Sequence, residues 1–454
     1  MKFKKSLFIF RRDLRLTDNT ALIQALKNSK KVIPCFIFDP RQIETNDYKS
    51  ERLIDFMLES LQDLDKQIIQ KKSRLYFFYG LAEEVVKKIL EKENIDAVFL
   101  NMDYTPFSKN RDDQIKLICQ KKHIEFNSYQ DIMLNSPEEI KNISKKFYTT
   151  FNPYFKKAKE IKVKEPEQNK YNNYYRNKIE LENKEIFLKL LNKIPKNKKT
   201  LIGGRKKALE ILEKLNYYKN YKQEKDYPCL NKTTKLSAYL KFGCISIRET
   251  YNAIKEKLGK NHALIRQLYW RDFYTQIAFN FPHVFTGPFR KDYSNLKWKN
   301  DEKKLEKWKK GMTGFPIVDA GMRELNETGF INNRIRMIVA SFLVKDLHID
   351  WKIGEKYFAQ KLIDYDPSIN NGNWQWCAST GCNPQPYFRI FNPWLQQINF
   401  DKECVYIKKF IPELKNFTNK EIHNSKRNSN LGEYPKPMLI HSEEAKKAIK
   451  YFKK

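Results

Sequence analysis

The hydrophobic periodicity of this chain changes near residue 200, and that change constrains its fold more than any other feature. Before residue 130, short apolar runs alternate with amphipathic helical stretches, which is typical of a parallel sheet covered by helices on both faces. After residue 203 the pattern stays helical to the end of the chain. The sequence therefore predicts an α/β domain followed by a larger all-α domain. The five predicted strands cover residues 6–10, 32–38, 75–79, 97–100 and 124–129.

The stretch between the second and third predicted strands carries an apolar stripe at helical spacing. Either Asp47 or Ser50 is placed to cap its first turn. No glycine-rich dinucleotide fingerprint follows the first strand, so an ordinary dinucleotide site in this domain is not indicated. The stripe consists of Leu53, Met57, Leu61, Leu64 and Ile68.

Residues 131–199 separate the two predicted domains and have no sustained period. They are rich in Lys, Asn, Glu and Tyr, and Pro153, Pro166 and Pro195 would interrupt any long helix. We predict a surface linker with short helices. The predicted division is residues 1–130 for the α/β domain, 131–199 for the linker and 200–454 for the all-α domain.

The chain is strongly basic. A formal net charge of +33 over 454 residues would attract polyanions, and neutralisation of phosphates by Lys and Arg gives affinity through counterion release. Nucleic acid is the natural partner. A Lys and Asn bias that runs along the whole chain would give the same charge without DNA binding, so charge alone leaves both interpretations open.

Cysteine, histidine and hydropathy patterns argue against several other classes of protein. The seven cysteines contain no CxxC motif and the six histidines lack ligand spacing, so we expect neither a disulfide framework nor a metal site. No apolar run approaches the roughly 18 residues of a membrane span, and no secretion signal is evident. We expect an intracellular monomer, in the cytoplasm, nucleoid or nucleus, with no membrane partner.

Residues 364–393 combine aromatic rings, carboxylates and amides in a segment too irregular for ordinary core. A buried amide without a partner costs about 1 to 3 kcal/mol, so this many amides predict a polar, planar ligand that pairs with them. The alternative is a loop between helices beside a core. The cofactor hypothesis depends on Asn370, Asn371, Asn373, Trp374 and Trp376.

Four groups of motifs run along nearly the whole chain. They are FIFRRDLRLTDN; TTKLSAYLKFGCIS with QLYWRDFY; GFPIVDAGMRELNETGFINNRIRMIVASFLVKDLHIDW; and LIDYDPSINNGNWQWCASTG with FRIFNP. Through them the chain resembles the photolyase/cryptochrome family, and most of all its class I type enzymes for cyclobutane pyrimidine dimers. The resemblance implies a Rossmann-like antenna domain and a larger all-α FAD-binding catalytic domain, joined by a long linker.

In that family the helical domain holds FAD in a bent conformation. Arg336 and Asp364 match a charged pair beside the isoalloxazine, although a purely architectural ion pair is the alternative. Asp366 would accept from the polar edge of the ring, and Arg271 would lie near it. Asn370 matches the residue that faces flavin N5, where an amide cannot supply a proton, so the resemblance favours the anionic hydroquinone as the active form.

The phosphate and ribitol portion of FAD has its own set of matched residues. The family usually has Arg where this chain has Lys235. Seen alone, residues 233–237 would be no more than a cap before a helix. The matched residues are Tyr221, Thr233, Thr234, Lys235, Leu236 and Ser237.

A lesion pocket follows from the same resemblance. Asn333 and Met337 lie four residues apart, so they share one helix face. Dimer photolyases have this pair. The (6-4) photolyases have two His residues at these positions, and one of them is needed as an acid. Gln267 stands where dimer photolyases usually have Glu and where (6-4) photolyases often have Gln, which keeps the (6-4) alternative open and predicts lower repair efficiency. The aromatic residues Trp270 and Trp376 would hold the dimer, with basic Arg334 beside them.

Three tryptophans match an electron relay from the flavin to the surface: Trp374, Trp351 and Trp298.

Together these matches imply light-driven repair of cyclobutane pyrimidine dimers in UV-damaged DNA, by electron transfer from excited reduced FAD to a flipped-out dimer. The alternatives are a (6-4) photolyase and a cryptochrome-type photoreceptor without repair activity. The chain ends soon after residues 434–437, without a long tail, which favours repair. We also expect that the first domain can hold a second, antenna chromophore, whose identity stays open.

Overall fold

The computed structural model describes residues 1–195, 200–425 and 430–453. Within them one five-stranded parallel sheet forms, in the order β3-β2-β1-β4-β5. Each strand overlaps a predicted run, so the parallel α/β prediction is confirmed. The strands are β1 Phe3–Phe10, β2 Ser29–Phe38, β3 Tyr76–Tyr79, β4 Ala97–Asn101 and β5 Glu125–Tyr129.

The striped helix is α3, and its cap is Ser50. The Ser50 hydroxyl accepts from the Leu53 amide at 3.4 Å, and the stripe residues from Met57 to Ile68 are buried, while Leu53 is half-buried. The helices that connect the strands are α1 Thr20–Asn28, α2 Pro40–Ile43, α3 Glu51–Gln70, α4 Ala82–Lys92 and α5 Pro106–Lys121.

The turn after β1 is fixed by buried polar contacts and by one glycine. The Asp13 carboxylate accepts from the Arg11 amide at 2.7 Å and from the Asn101 side chain. Gly243 has φ +60, and a Cβ there would overlap the backbone of Arg12 and Asp13. Only glycine lets the two backbones approach this closely. The backbone that carries Arg12 is therefore held in one position.

The segment predicted as a linker contains two short helices, α6 Phe151–Ala158 and α7 Lys184–Leu191, as expected. Its surface character was predicted wrongly for several side chains. Tyr154 and Tyr174 are almost fully buried, and Phe187 stacks on Phe77 with ring centroids 4.2 Å apart. The segment lacks a sustained period because its buried side chains lie on one short helix, α6, and at isolated positions such as those of Tyr174 and Phe187.

The described residues beyond 200 form helices and add no named strand, which confirms the all-α prediction. The helices are α8 Arg205–Glu213, α9 Tyr221–Glu224, α10 Leu236–Lys241, α11 Ile247–Leu258, α12 Ala263–Asn280, α13 Glu302–Lys310, α14 Pro316–Thr328, α15 Asn333–Ser341, α16 Trp351–Lys361, α17 Pro367–Cys377, α18 Pro393–Phe400, α19 Val405–Phe410, α20 Asn419–Asn424 and α21 His441–Phe452.

The chain divides into two compact units. Unit 1 comprises Met1–Asn216, Lys235–Pro282 and Ile363–Asp366, and unit 2 comprises Tyr217–Thr234, His283–Leu362 and Pro367–Lys454. Unit 1 thus joins the sheet with α8 and with α10 to α12. The predicted domain boundaries mark where the fold class changes along the sequence, whereas the two units are groups of residues that pack together. The boundaries stay a prediction.

Unit 2 buries charged side chains where α15 continues into a π-helical turn, Phe342–Asp346. Lys345 is 1% exposed; its ammonium donates to the Ser379 hydroxyl at 3.0 Å and lies 3.3 Å from the Phe452 ring centroid. Burial lowers the pKa of Lys345 to about 7. The next residue, Asp346, is also buried, and it pairs with His441 on α21.

We predict that Lys345→Met raises the free energy of unfolding most at pH 7 and less as the pH rises to 9. Folding penalises the charged amine, whose folded-state pKa is near 7, and the penalty shrinks by up to about 1.4 kcal/mol per pH unit as the folded amine loses its proton. Urea unfolding of both proteins at pH 7, 8 and 9 measures the difference. Lys303→Met, at an exposed lysine, is the control. A difference that does not change with pH would contradict the prediction.

Candidate functional site

The predicted site residues are distributed over the two units. Unit 1 carries Lys235, Leu236, Ser237, Gln267, Trp270, Arg271, Asp364 and Asp366. Unit 2 carries Tyr221, Thr233, Thr234, Trp298, Asn333, Arg334, Arg336, Met337, Trp351, Asn370, Trp374 and Trp376.

The start of α10 meets the short segment of residues 363–366 in unit 1. Lys235 holds the cap position with φ +55 and makes no side-chain capping bond, so its role is not that of an ordinary helix cap. Ser237, which is exposed, donates to the Asp364 carboxylate at 2.7 Å. Two of the predicted flavin residues are therefore brought together directly.

Asp366 is held by a buried ionic cluster that the sequence pattern did not indicate. We call Arg12, Asp103, Lys241 and Asp366 the Arg12 cluster. The Arg12 guanidinium ion-pairs with Asp366, bonds Asp103 at 3.0 Å, and donates through Nε to the Lys241 carbonyl at 3.2 Å. Asp366 is 6% exposed. The sequence could not reveal this contact because 354 positions separate Arg12 from Asp366.

Electrostatics inside the Arg12 cluster keep its carboxylates charged. Burial acts to raise the pKa of Asp366, but Arg12, Lys241 and Arg271 outweigh it and lower that pKa. Burial and the neighbouring Arg12 lower the pKa of Lys241 to about 8. Near neutral pH the cluster therefore contains two carboxylates and two cations, all of them buried or half-buried.

Helix α12 presents the predicted lesion residues of unit 1. Trp270 is half-buried and stacks on Phe151 of α6, with ring centroids 3.5 Å apart and planes at 7°. Gln267, one turn earlier, is exposed. Arg271 donates to the Ile132 carbonyl. The predicted linker thus supplies a partner for the lesion aromatic, which the sequence did not show because this segment matches none of the motifs.

Next to Arg271 on the same helix, Asp272 is fully buried. Its carboxylate accepts from the Leu134 amide at 2.7 Å, and burial raises its pKa to about 7. This aspartate was not among the predicted site residues. It anchors the chain that follows β5 to α12.

Helix α15 carries the predicted lesion pair of unit 2. Asn333 is exposed and Met337 half-buried, and the amide of Asn333 donates to the Met337 sulfur at 3.4 Å. Ile335, Ile338 and Val339 are buried on the other side of the helix. The prediction that Asn333 and Met337 share one face, away from the core, is therefore confirmed.

Two arginines of α15 have partners within unit 2. Arg334 ion-pairs with Asp226 at 3.2 Å, and its guanidinium lies 4.3 Å from the Phe400 ring centroid. Arg336 donates through Nε to the Ile331 carbonyl at 3.1 Å. Both guanidiniums are half-buried, so the helix presents fixed cations beside the Asn333 and Met337 face.

The amides of α17 bond to protein groups, so the argument that they require a ligand was wrong. Asn370 donates to the carbonyl and the carboxylate of Glu355 at 3.1 and 2.8 Å. Asn371 donates to the Val284 carbonyl at 2.9 Å, and Asn373 is exposed. Their partners come from distant loops and from α16, which the local sequence could not indicate. The assignment of Asn370 to the flavin stays a prediction.

The predicted relay tryptophans all belong to unit 2. Trp374 is 2% exposed and packs edge-on against Phe358 and against a further buried tryptophan, Trp308, at centroid distances of 5.0 and 6.4 Å. Trp351 is 3% exposed. Trp298 is half-buried and lies 5.8 Å from the Tyr451 ring. Trp374 and Trp351 are thus both buried and Trp298 is half-buried, and the relay stays a prediction.

Comparison with known proteins decides the family. The family model described as DNA photolyase matches residues 6–170, and the model described as the FAD binding domain of DNA photolyase matches residues 264–454. The chain belongs to the DNA photolyase family. FAD is accordingly its cofactor, and its enzyme class is that of a photo-lyase.

Individual members of the family match over nearly the whole chain. The deoxyribodipyrimidine photo-lyases of Buchnera aphidicola (from Acyrthosiphon pisum) and of Alkalihalophilus pseudofirmus are 37% and 34% identical, covering 99% and 98% of this chain and 97% of each relative. The crystal structure of an archaeal photolyase from Sulfolobus tokodaii with two FAD molecules is 42% identical, with a TM-score of 0.90 and 99% of both chains covered.

The residue types present fit FAD. A diphosphate needs hydroxyls and cations, which Thr233, Thr234 and Lys235 offer, and the flavin ring needs carboxylate acceptors such as Asp364 and Asp366. Among the described residues, no group of acidic, histidine or cysteine side chains could hold a metal ion. In the same part of the chain, no helix is both long and apolar enough to cross a membrane.

We predict that Gly354→Ala displaces Trp374. A Cβ at residue 354, in the interior of α16, would overlap the Trp374 ring and the Leu343 side chain. Overpacking of this kind costs about 1 to 3 kcal/mol, against a gain of at most about 1 kcal/mol from helix propensity. Urea unfolding followed by tryptophan fluorescence measures both effects. Gly287→Ala, where a Cβ meets nothing within 4 Å, is the control. Equal behaviour of the two variants would contradict the prediction.

Proposed function

We propose that the protein repairs cyclobutane pyrimidine dimers in UV-damaged DNA, in a light-driven reaction that depends on reduced FAD. The observation that carries the proposal is the Asn333 and Met337 pair, which presents an amide and a thioether on one outward face of α15. These groups can bond and pack against an uncharged pyrimidine pair but cannot act as acids near neutral pH. Curated relatives named deoxyribodipyrimidine photo-lyase support it.

The chemistry that FAD supplies when bound is donation of one electron under light and its later recovery. Our proposed binding residues are those of the resemblance, and the structure supports specific parts for some of them. Asp366 is held as a carboxylate by Arg12, so it can only accept from the ring. Asn370 is oriented by Glu355 and has no acidic proton to give. Neither group can therefore protonate a reduced, anionic ligand.

DNA would be held by stacking and by charge. Trp270 offers an indole face already backed by Phe151, and Trp376 is half-buried and available to the same kind of contact. Arg334 adds a fixed cation. The formal net charge of +33 supplies the long-range attraction, and phosphate contacts would position the duplex while the pocket selects the lesion.

The (6-4) alternative needs an acid beside the lesion, and neither Asn333 nor Met337 can supply one. Gln267, which is exposed on α12, keeps this alternative open. A photoreceptor without repair activity is the other alternative. For an antenna chromophore, the two FAD molecules of the Sulfolobus tokodaii photolyase make a second flavin the first class to examine.

We expect the purified, photoreduced protein to restore thymines from an oligonucleotide that contains a cyclobutane dimer, under blue light and not in the dark. A second oligonucleotide, with a (6-4) product at the same position, should remain unchanged because neither Asn333 nor Met337 can act as an acid. Chromatography of both products measures repair. Repair of the (6-4) product alone would replace the proposal by its alternative, and repair of neither by protein that binds and photoreduces FAD would support a photoreceptor.

We expect Trp374→Phe to block light-driven reduction of oxidised flavin, because phenylalanine is much harder to oxidise than the indole of the buried Trp374. Repair by chemically pre-reduced enzyme should be largely retained. Absorption spectra under illumination measure reduction, and the dimer assay measures repair. Trp394→Phe, at another buried tryptophan of unit 2, is the matched control. Normal photoreduction of Trp374→Phe would remove the relay assignment.

A further inference from the structure

We propose that Arg12 is a positioning residue for the flavin: it fixes Asp366 in place, and its positive charge, with those of Lys241 and Arg271, favours a reduced, anionic ligand. The inference rests on the proposed contact of Asp366 with FAD. Arg12 lies in the turn just after β1, more than 350 positions before Asp366 in the sequence.

The contacts of Arg12 commit its whole guanidinium. Nη2 ion-pairs with Asp366, Nη1 bonds Asp103 at 3.0 Å, and Nε donates to the Lys241 carbonyl at 3.2 Å. The side chains of Arg12, Asp103 and Asp366 are 14%, 10% and 6% exposed. Because the planar, forked Arg12 guanidinium donates in three directions, it is fixed in position, and the Asp366 carboxylate bonded to it has little freedom to move.

The backbone on both sides of Arg12 is equally fixed. Gly243 packs directly on the backbone of Arg12, and the Leu14 amide donates to the Phe242 carbonyl at 3.0 Å. Asp13 bonds the Arg11 amide. The rigid turn after β1 thus positions Arg12, and Arg12 in turn positions Asp366. A side chain that was only covering the surface would not need such support.

One cation from outside the Arg12 cluster also acts on Asp366. Inside the cluster Arg12 and Lys241 balance Asp103 and Asp366, and Arg271, which lies 3.5 Å from the Asp272 carboxylate, is the third cation that lowers the pKa of Asp366. Asp272, beside Arg271, is a weak further anion because burial raises its pKa to about 7. In a buried site an uncompensated positive charge stabilises an anion more than it would in water.

A merely architectural Arg12 would behave differently. Arg12 would then tie residues 363–366 to the sheet, and its loss would lower stability without changing the relative affinity of the protein for reduced and oxidised FAD. The midpoint potential of bound FAD separates the two roles, because it reports that relative affinity. It requires neither light nor DNA.

The test compares Arg12→Gln with Arg11→Gln. Arg11 is the adjacent residue, also half-buried, and its ion pair is with Asp112. We expect Arg12→Gln to reduce the preference for reduced over oxidised FAD about tenfold, which corresponds to a potential about 30 mV lower for a two-electron couple. Arg11→Gln should retain the wild-type potential. Arg12→Lys should recover part of the shift, since it returns the charge but not the fork.

Lys241→Met provides a second route if Arg12→Gln does not fold, because it removes a cation of the same cluster and should shift the potential in the same direction. Potentials unchanged in Arg12→Gln, or in Lys241→Met where that variant carries the test, would overturn the inference, as would an equal shift in Arg11→Gln. Failure of dimer repair by the wild-type protein would instead remove the proposed function, and the potential measurement would still stand on its own.

Discussion

Asp131 lies fully buried between two guanidinium groups, and the arrangement of unit 1 depends on this interaction. Arg15, just after β1, bonds one carboxylate oxygen at 2.6 Å, and Arg248 of α11 bonds the other at 2.8 Å. Arg248 also pairs with Asp18 at 2.9 Å. An unpaired charge at this depth would cost several kcal/mol, so the three segments are stable only in this arrangement. The chain after β1, the chain after β5 and α11 are thereby locked together.

That lock determines where the site residues of unit 1 lie. The turn between β1 and α1 contains Arg11, Arg12, Asp13 and Arg15, and all four bond other elements of the unit. Arg12 bonds Asp103 and Asp366, while its neighbours Arg11, Asp13 and Arg15 bond other residues. A basic, polar turn at the carboxyl end of a central strand is a usual place for function in α/β folds. In this chain the turn bonds Asp366, the residue just before α17.

Much of the fold could be predicted because it follows from periodicity. The five strands are apolar runs, and α3 has a stripe that only a helix would bury on one side. The shared face of Asn333 and Met337 follows from a spacing of four. Contacts at long sequence separation could not be predicted: Asn371 bonds Val284, Trp270 stacks on Phe151, and Arg12 reaches Asp366. Local spacing contains no information about such partners, and the amides of α17 were misinterpreted for that reason.

The stack of Trp270 on Phe151 has a consequence for recognition. An indole with one face covered by a parallel ring and its edge against Phe273 has few rotamers left to lose. Ordering a side chain of this kind on binding ordinarily costs about 0.5 to 1.5 kcal/mol. In the proposed lesion site, Trp270 is ordered before DNA binds. Under that proposal a distorted base pair that leaves its helix meets a surface of fixed shape, so discrimination comes from fit and not from rearrangement of the protein.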